Sequence, residues 1–158
     1  MISTVAVGTD GSATASDAVS EAAEIARRFQ AKLVLLSAFQ DSKPAAHERV
    51  ASDVEALLTG GPPAGQGQDV GPQWTANSSA RVRTILERNE AELRRAGIEC
   101  ETHAAEGDPA EALVRLAADC DADLLVIGNK GIKRRILGSV PNTVTHRAGC
   151  SVLVVKTT

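Results

Sequence analysis

The stretch LLVIGNKGIKRRILGSVPNTVTHRAGCSVLVV, residues 124–155, decides how the chain folds. Two unbroken apolar runs, Leu124–Ile127 and Val152–Val155, stand at its ends. Each is too short for a helix and lacks polar alternation, the pattern of a strand covered on both faces. Between them a glycine-rich basic loop leads to Gly138. Ser139 to Ala148 then reads as a helix, with Ser139 as its cap, Pro141 in the tolerant first turn and Gly149 as its stop. Strand, helix and strand in such quick succession imply a right-handed parallel crossover.

The same rhythm extends back to the amino terminus. Ile2–Val7 (ISTVAV) is a β-rich run stopped by Gly8-Thr9-Asp10-Gly11-Ser12. Val19, Ala22, Ala23, Ala26 and Phe29 then recur on one helical face. Leu33–Leu36 (LVLL) is another fully apolar strand. Val82, Ile85, Leu86 and Leu93 mark a second helix, closed by Gly97 in the left-handed position. Ile98, Cys100, Thr102 and Ala104 alternate with Glu99, Glu101 and His103, which predicts an edge strand with one wet face. Asp108-Pro109-Ala110-Glu111 is a helix start in which Asp caps, Pro takes the first position and Glu111 reaches back. Leu113, Leu116 and Ala117 supply that helix's buried face. The order β-α-β-(insert)-α-β-α-β-α-β gives an α/β fold, a single doubly wound sheet of five parallel strands flanked by four main helices.

Residues 40–78 break the rhythm. GGPPAGQGQDVGPQ within them is rich in Gly, Pro and Gln, and Val50, Val54, Leu57 and Leu58 predict a short amphipathic helix in the first half. An excursion of this length reads as a mobile surface insertion or as a lid over a ligand site.

Composition removes several classes of function. The chain has 158 residues, one ordinary domain, and is 43% hydrophobic and 23% charged, which excludes wholesale disorder. A net charge of −3 gives no footprint for nucleic acid. Aromatic residues are only 2%, too few for base-stacking platforms, and lone Trp74 reads as a loop cover over apolar surface. No apolar run approaches ~20 residues and the start carries no basic leader, so a cytoplasmic protein without membrane contact is expected. Cys100, Cys120 and Cys150 are odd in number and widely spaced, as spectator thiols in a reducing compartment would be.

Ligands of open parallel sheets bind beyond the carboxyl ends of the strands, where the winding reverses. There the chain offers Gly8-Thr9-Asp10-Gly11-Ser12 after strand one and Gly128-Asn129-Lys130-Gly131 after strand four. Gly128 and Gly131 permit close backbone approach and positive φ. Gly138-Ser139 presents N–H groups and a hydroxyl at the positive end of a helix, which favours phosphate, with Lys130, Lys133, Arg134 and Arg135 nearby. Asp10 is placed to accept hydrogen bonds from a ribose or base, or to sit near a metal. Other signatures are missing. There is no G-x-x-x-x-G-K-[ST], no G-x-G-x-x-G after strand one, and no Asp after strand three, where Ala104-Ala105-Glu106-Gly107 stands instead of a receiver's phospho-acceptor.

VAVGTDGS at residues 5–12, GDPAEAL at 107–113 and VIGNKG…LGSVPNTV…CSVLVVK within 126–156 resemble the universal stress protein family. The resemblance covers residues 1–158 apart from the 40–78 insertion. It implies the strand order 3-2-1-4-5 of the adenine nucleotide alpha hydrolase-like folds, which sets strands one and four side by side. One branch of that family binds ATP through G-x2-G-x9-G-[ST]. By that resemblance Asp10 would meet the adenosine end, Ala38 and Ile127 would line the base pocket, and Gly128, Gly131, Gly138, Ser139 and Val140 would carry the phosphates; Thr9 and Lys130, beside them in the two loops, complete the expected binding set. Six residues, not nine, separate Gly131 from Gly138 here.

The resemblance implies ATP first, with Mg2+ accompanying it, and AMP or cyclic AMP as alternatives. It also implies a homodimer paired through Val152–Val155, a bare hydrophobic edge that another chain would cover. A stress-response sensor or carrier is expected rather than an enzyme, with slow incidental ATP hydrolysis at most. His47, His103 and His146 suggest no nucleophile–base pair, and neither a Ser-Gly-Gly loop after strand one nor an HIGH-like motif supports a nucleotidyl transferase. The alternative is a nucleotide-free dimer acting through protein–protein interaction.

Overall fold

A computed structural model describes residues 1–41, 78–129 and 137–156, and all elements below lie in the compact unit made by residues 1–40 and 76–158. In chain order they are β1 (Thr4–Gly8), α1 (Ala13–Phe29), β2 (Lys32–Phe39), α2 (Ser79–Arg95), β3 (Cys100–Glu106), α3 (Pro109–Asp119), β4 (Leu124–Asn129), α4 (Ser139–Arg147) and β5 (Ser151–Lys156). The strands form one sheet in the order β3-β2-β1-β4-β5, with every pairing parallel. The predicted insertion with its amphipathic helix, Trp74 and His47 falls outside the described residues.

The apolar strands β1, β2 and β4 sit centrally because both their faces are covered, whereas Val152–Val155 of β5, an equally apolar run, lies at the sheet edge and is only partly buried. Val5, Val7, Leu33, Leu35 and Val126 pack with Ala18, Ala22 and Ala26 of α1 and Val82, Leu86 and Leu93 of α2. On the opposite face Ala6, Val34, Leu36, Leu125 and Ile127 pack with Ala110 and Leu113 of α3 and Val140 and Val144 of α4. Alanine at each inward turn of α1 brings that helix close to the sheet. β3, the strand with alternating polarity, forms one edge with Glu101 and His103 exposed, and β5 forms the other.

Local chemistry sets the helix ends. Ser12 Oγ accepts the N–H of Ala15 at 3.2 Å, Ser78 Oγ that of Arg81 at 3.3 Å, and an Asp108 carboxylate oxygen that of Glu111 at 3.1 Å. Gly97, at φ +77°, follows α2 in the left-handed conformation expected of it.

Three local expectations need correction. Phe29 is 55% exposed, because α1's buried face ends at Ala26 and Gln30 turns the chain at φ 54°. Glu111 does not reach back to its own cap; its carboxylate accepts from Arg147 Nη1 at 2.7 Å and joins α3 to α4. Gly149 has no left-handed φ, and α4 ends instead at Ala148, where ψ swings to 137°.

The amino end of β1 is held by a carboxylate. Asp123, just before β4, accepts the N–H groups of Ser3 (2.7 Å) and Thr4 (3.0 Å) through Oδ2, and its own N–H donates to Thr4 O. These two donors pull its pKa below the ordinary aspartate value.

Candidate functional site

Because Val7 pairs with Val126, the carboxyl ends of β1 and β4 emerge side by side, and the turn after β1 meets the end of β4. Thr9 is buried and bound to β2 on both sides of its peptide unit. Its N–H donates to Leu36 O at 2.8 Å, and the buried Ser37 hydroxyl donates to Thr9 O at 2.7 Å. Asp10 Oδ1 then accepts the N–H of Ser12 at 3.0 Å, while Thr9 Oγ1 accepts that of Gly11 at 3.3 Å. Such a turn closed by an aspartate side chain fixes the carboxylate without help from a helix. Gly11 completes it at φ +78°, with Ile85 of α2 packed where a side chain would stand.

Gly128 has a reason that the sequence does not reveal. It lies within β4 without positive φ, contrary to the conformation expected for it. A β-carbon there would lie 2.7 Å from both Thr14 O and Thr14 Cγ2. The bare Cα lets the first turn of α1 rest directly on β4, and this seats the Asp10 turn beside β4.

The far side of the crest is the start of α4. Gly138, not Ser139, is the N-cap (φ −60°, ψ 166°), and it brings no side-chain cap bond. The expectation that Ser139 caps the helix is thus corrected: Ser139 is its first helical residue. Gly138 N–H donates to Asn129 Oδ1 at 3.2 Å, and Gly138 O accepts from Asn142 N–H at 3.0 Å. Pro141 contributes no N–H. Among the described residues nothing accepts the N–H groups of Ser139 and Val140, so α4 begins with two open donors and a nearby hydroxyl.

Of the remaining site residues, Ala38 is half-buried at the end of β2, opposite Ala105 of β3. Ile127 is 3% exposed, its side chain part of the core beneath α3 and α4. Lys130 and Gly131 fall outside the described residues, as do Lys133, Arg134 and Arg135. The structure therefore brings Thr9, Asp10, Gly128, Gly138, Ser139 and Val140 to the crest, with Ala38 one strand away.

Sequence reasoning gave Ser37, Ile85 and Asn129 no part in holding the site together. Ser37 was signalled weakly, as the first polar residue after the LVLL run, at the crest end of β2. The three thiols are half-buried, and burial pushes each pKa up, which keeps them protonated and poorly nucleophilic. Among the described residues no group of three His, Cys, Asp or Glu side chains is placed to hold a metal ion, and no helix is long and apolar enough to cross a membrane.

Known proteins share this fold. Universal stress protein Rv1636 of Mycobacterium tuberculosis is 36% identical over 98% of this chain and 97% of its own length. A universal stress protein crystallised with cAMP superposes with a TM-score of 0.66 at 32% identity, covering 99% of both chains. The Archaeoglobus fulgidus universal stress protein in complex with dAMP shares the fold, with a TM-score of 0.64 at 21% identity over 99% of this chain and all of its own. The family's sequence profile matches residues 1–156, the sheet has the order that the resemblance implied, and on both grounds the chain belongs to the universal stress protein family.

Proposed function

We propose that the chain binds an adenine nucleotide across the crest of β1 and β4 and acts as a sensor or carrier in a stress response, without dedicated catalysis. The ligand is one that carries a single phosphate, AMP or cyclic AMP, in preference to ATP. The supporting observation is the pair of opposed groups at that crest. On one side the fixed Asp10 carboxylate suits the hydroxyl donors of a ribose. On the other, the Ser139 and Val140 N–H groups and the Ser139 hydroxyl suit one phosphate at a helix N-terminus.

Three features favour the shorter ligand over ATP. Among the described residues the first turn of α4 offers two backbone donors without an acceptor, since Pro141 has none. The glycine loop is three residues shorter than the family's ATP-binding pattern. The relative at 32% identity was crystallised with cAMP.

Calorimetric titration with AMP, cyclic AMP and ATP plus Mg2+ tests the reading. AMP or cyclic AMP should bind more tightly than ATP. Tightest binding of Mg-ATP would overturn the single-phosphate preference. No binding of any of the three at millimolar concentration would leave the nucleotide-free dimer, a reading favoured by Gly128, whose missing side chain α1 already uses.

Dimerisation through β5 belongs to the same proposal. Val152–Val155 remain partly exposed at a sheet edge, and antiparallel pairing of two such edges would close a two-fold dimer. Sedimentation equilibrium at micromolar concentration should give twice the chain mass; a monomer would remove this part of the proposal.

A further inference from the structure

The hydrogen bond between Asn129 Oδ1 and Gly138 N–H joins the two ends of the segment between β4 and α4. Asn129 is the last residue of β4, held in register opposite Lys156 of β5, so its backbone is fixed by the sheet. Gly138 is the residue from which α4 starts. The bond therefore ties the orientation of α4's first turn to the sheet.

Its chemistry is also selective about which donor it uses. Among the described residues the other three helices begin with a Ser or Asp side chain that accepts an N–H of the first turn. In α4 the stabilising acceptor comes from β4 and takes the N–H of the cap residue itself. The donors of Ser139 and Val140, one and two positions on, have no acceptor among the described residues. A side-chain cap would have consumed one of them, whereas Asn129 steadies the helix start without doing so.

Given the nucleotide reading above, on which it rests, we infer that Asn129 is a positioning residue for phosphate: it aims the Ser139 and Val140 N–H groups at the anion without touching it. Asn129 then contributes to affinity only for ligands that carry a phosphate, and its loss leaves recognition of the nucleoside end intact. The discriminating quantity is the ratio of adenosine to AMP dissociation constants, because a general loosening of the fold would weaken both ligands together.

Calorimetry with adenosine and with AMP should be run on the wild-type chain, Asn129→Ala, Gly138→Pro and the double variant. Gly138→Pro removes the donor at a φ of −60° that proline already prefers, so it breaks the same bond from the other end. In each single variant the AMP preference should fall by about fivefold, the weight of one ordinary hydrogen bond, with adenosine affinity unchanged. The double variant should lose no more than either single one. In amide NMR spectra AMP, but not adenosine, should move the Ser139 and Val140 resonances of the wild type, and in Asn129→Ala the same shift should need about fivefold more AMP to reach half its full size. Parallel loss of adenosine and AMP binding, or an unchanged ratio, overturns the inference while leaving the nucleotide site standing. Wild-type protein that binds neither ligand takes down both.

Discussion

Replacing Gly128 by alanine should destabilise the fold even in the absence of any ligand. The added β-carbon would sit 2.7 Å from Thr14 O, a backbone atom that no rotamer change can move aside. Restoring ordinary contact requires the first turn of α1 to withdraw by about 0.7 Å, in an interior packed as densely as an organic crystal. That helix is seated by Ala15, Ala18, Ala22 and Ala26, all 6% exposed or less, so withdrawal opens the seam below it. Overpacking of this kind costs about 1–3 kcal/mol. Gly149→Ala is the internal control, since nothing lies within 4 Å of its β-carbon and its φ is not positive. It should be neutral or add up to about 1 kcal/mol by restricting the unfolded chain. Urea unfolding of both variants, monitored by helical circular dichroism, gives the comparison. A Gly128→Ala protein within about 0.5 kcal/mol of wild type, the range of an inconsequential surface change, would refute the packing argument and return Gly128 to a purely ligand-facing role.

Gly138→Ser would supply the hydroxyl cap that α4 lacks, with Val140 N–H as its target because Pro141 offers none. Unfolding should show a gain of a few tenths of a kcal/mol, accompanied by weaker AMP binding as the cap competes for that donor; tighter AMP binding would contradict the donor assignment. Asp123→Asn should lower the melting temperature at pH 7, where the wild-type carboxylate is ionised and holds Ser3 and Thr4. Since its folded pKa lies below the ordinary 3.8, that stabilisation is present above 3.8 and fades as the pH falls through the folded value. The gap between the two melting curves should therefore close in acid, and a pH-independent gap would mean that charge plays no part.

Features governed by local backbone chemistry were legible in the sequence. Asp108-Pro109 started α3, Gly97 followed α2 at positive φ, and the wet alternation of β3 put it at the sheet edge. The misreadings have a common physical origin in contacts between residues distant along the chain. Glu111 had a plausible local partner, but Arg147 from another helix lay closer to its carboxylate. Ser139 looked like a cap, yet Asn129 across the loop let Gly138 take that place. The packing duty of Gly128 was not legible because spacing does not say that α1 will land on it. The crest itself was legible because both Asp10 and Gly138 follow strands in chain order, whereas the bonds that aim them, from Ser37 and Asn129, cross the fold.

The Asp123 grip on Ser3 and Thr4 also has a practical consequence. β1 and β4 are fastened there by their entry ends, a strand length of about 17 Å from the turns that open towards solvent at the other. A fluorophore or affinity handle appended ahead of Met1 would stand away from those turns, leaving their titrations undisturbed, and tethering the protein to a surface by that end would present the opposite rim outward.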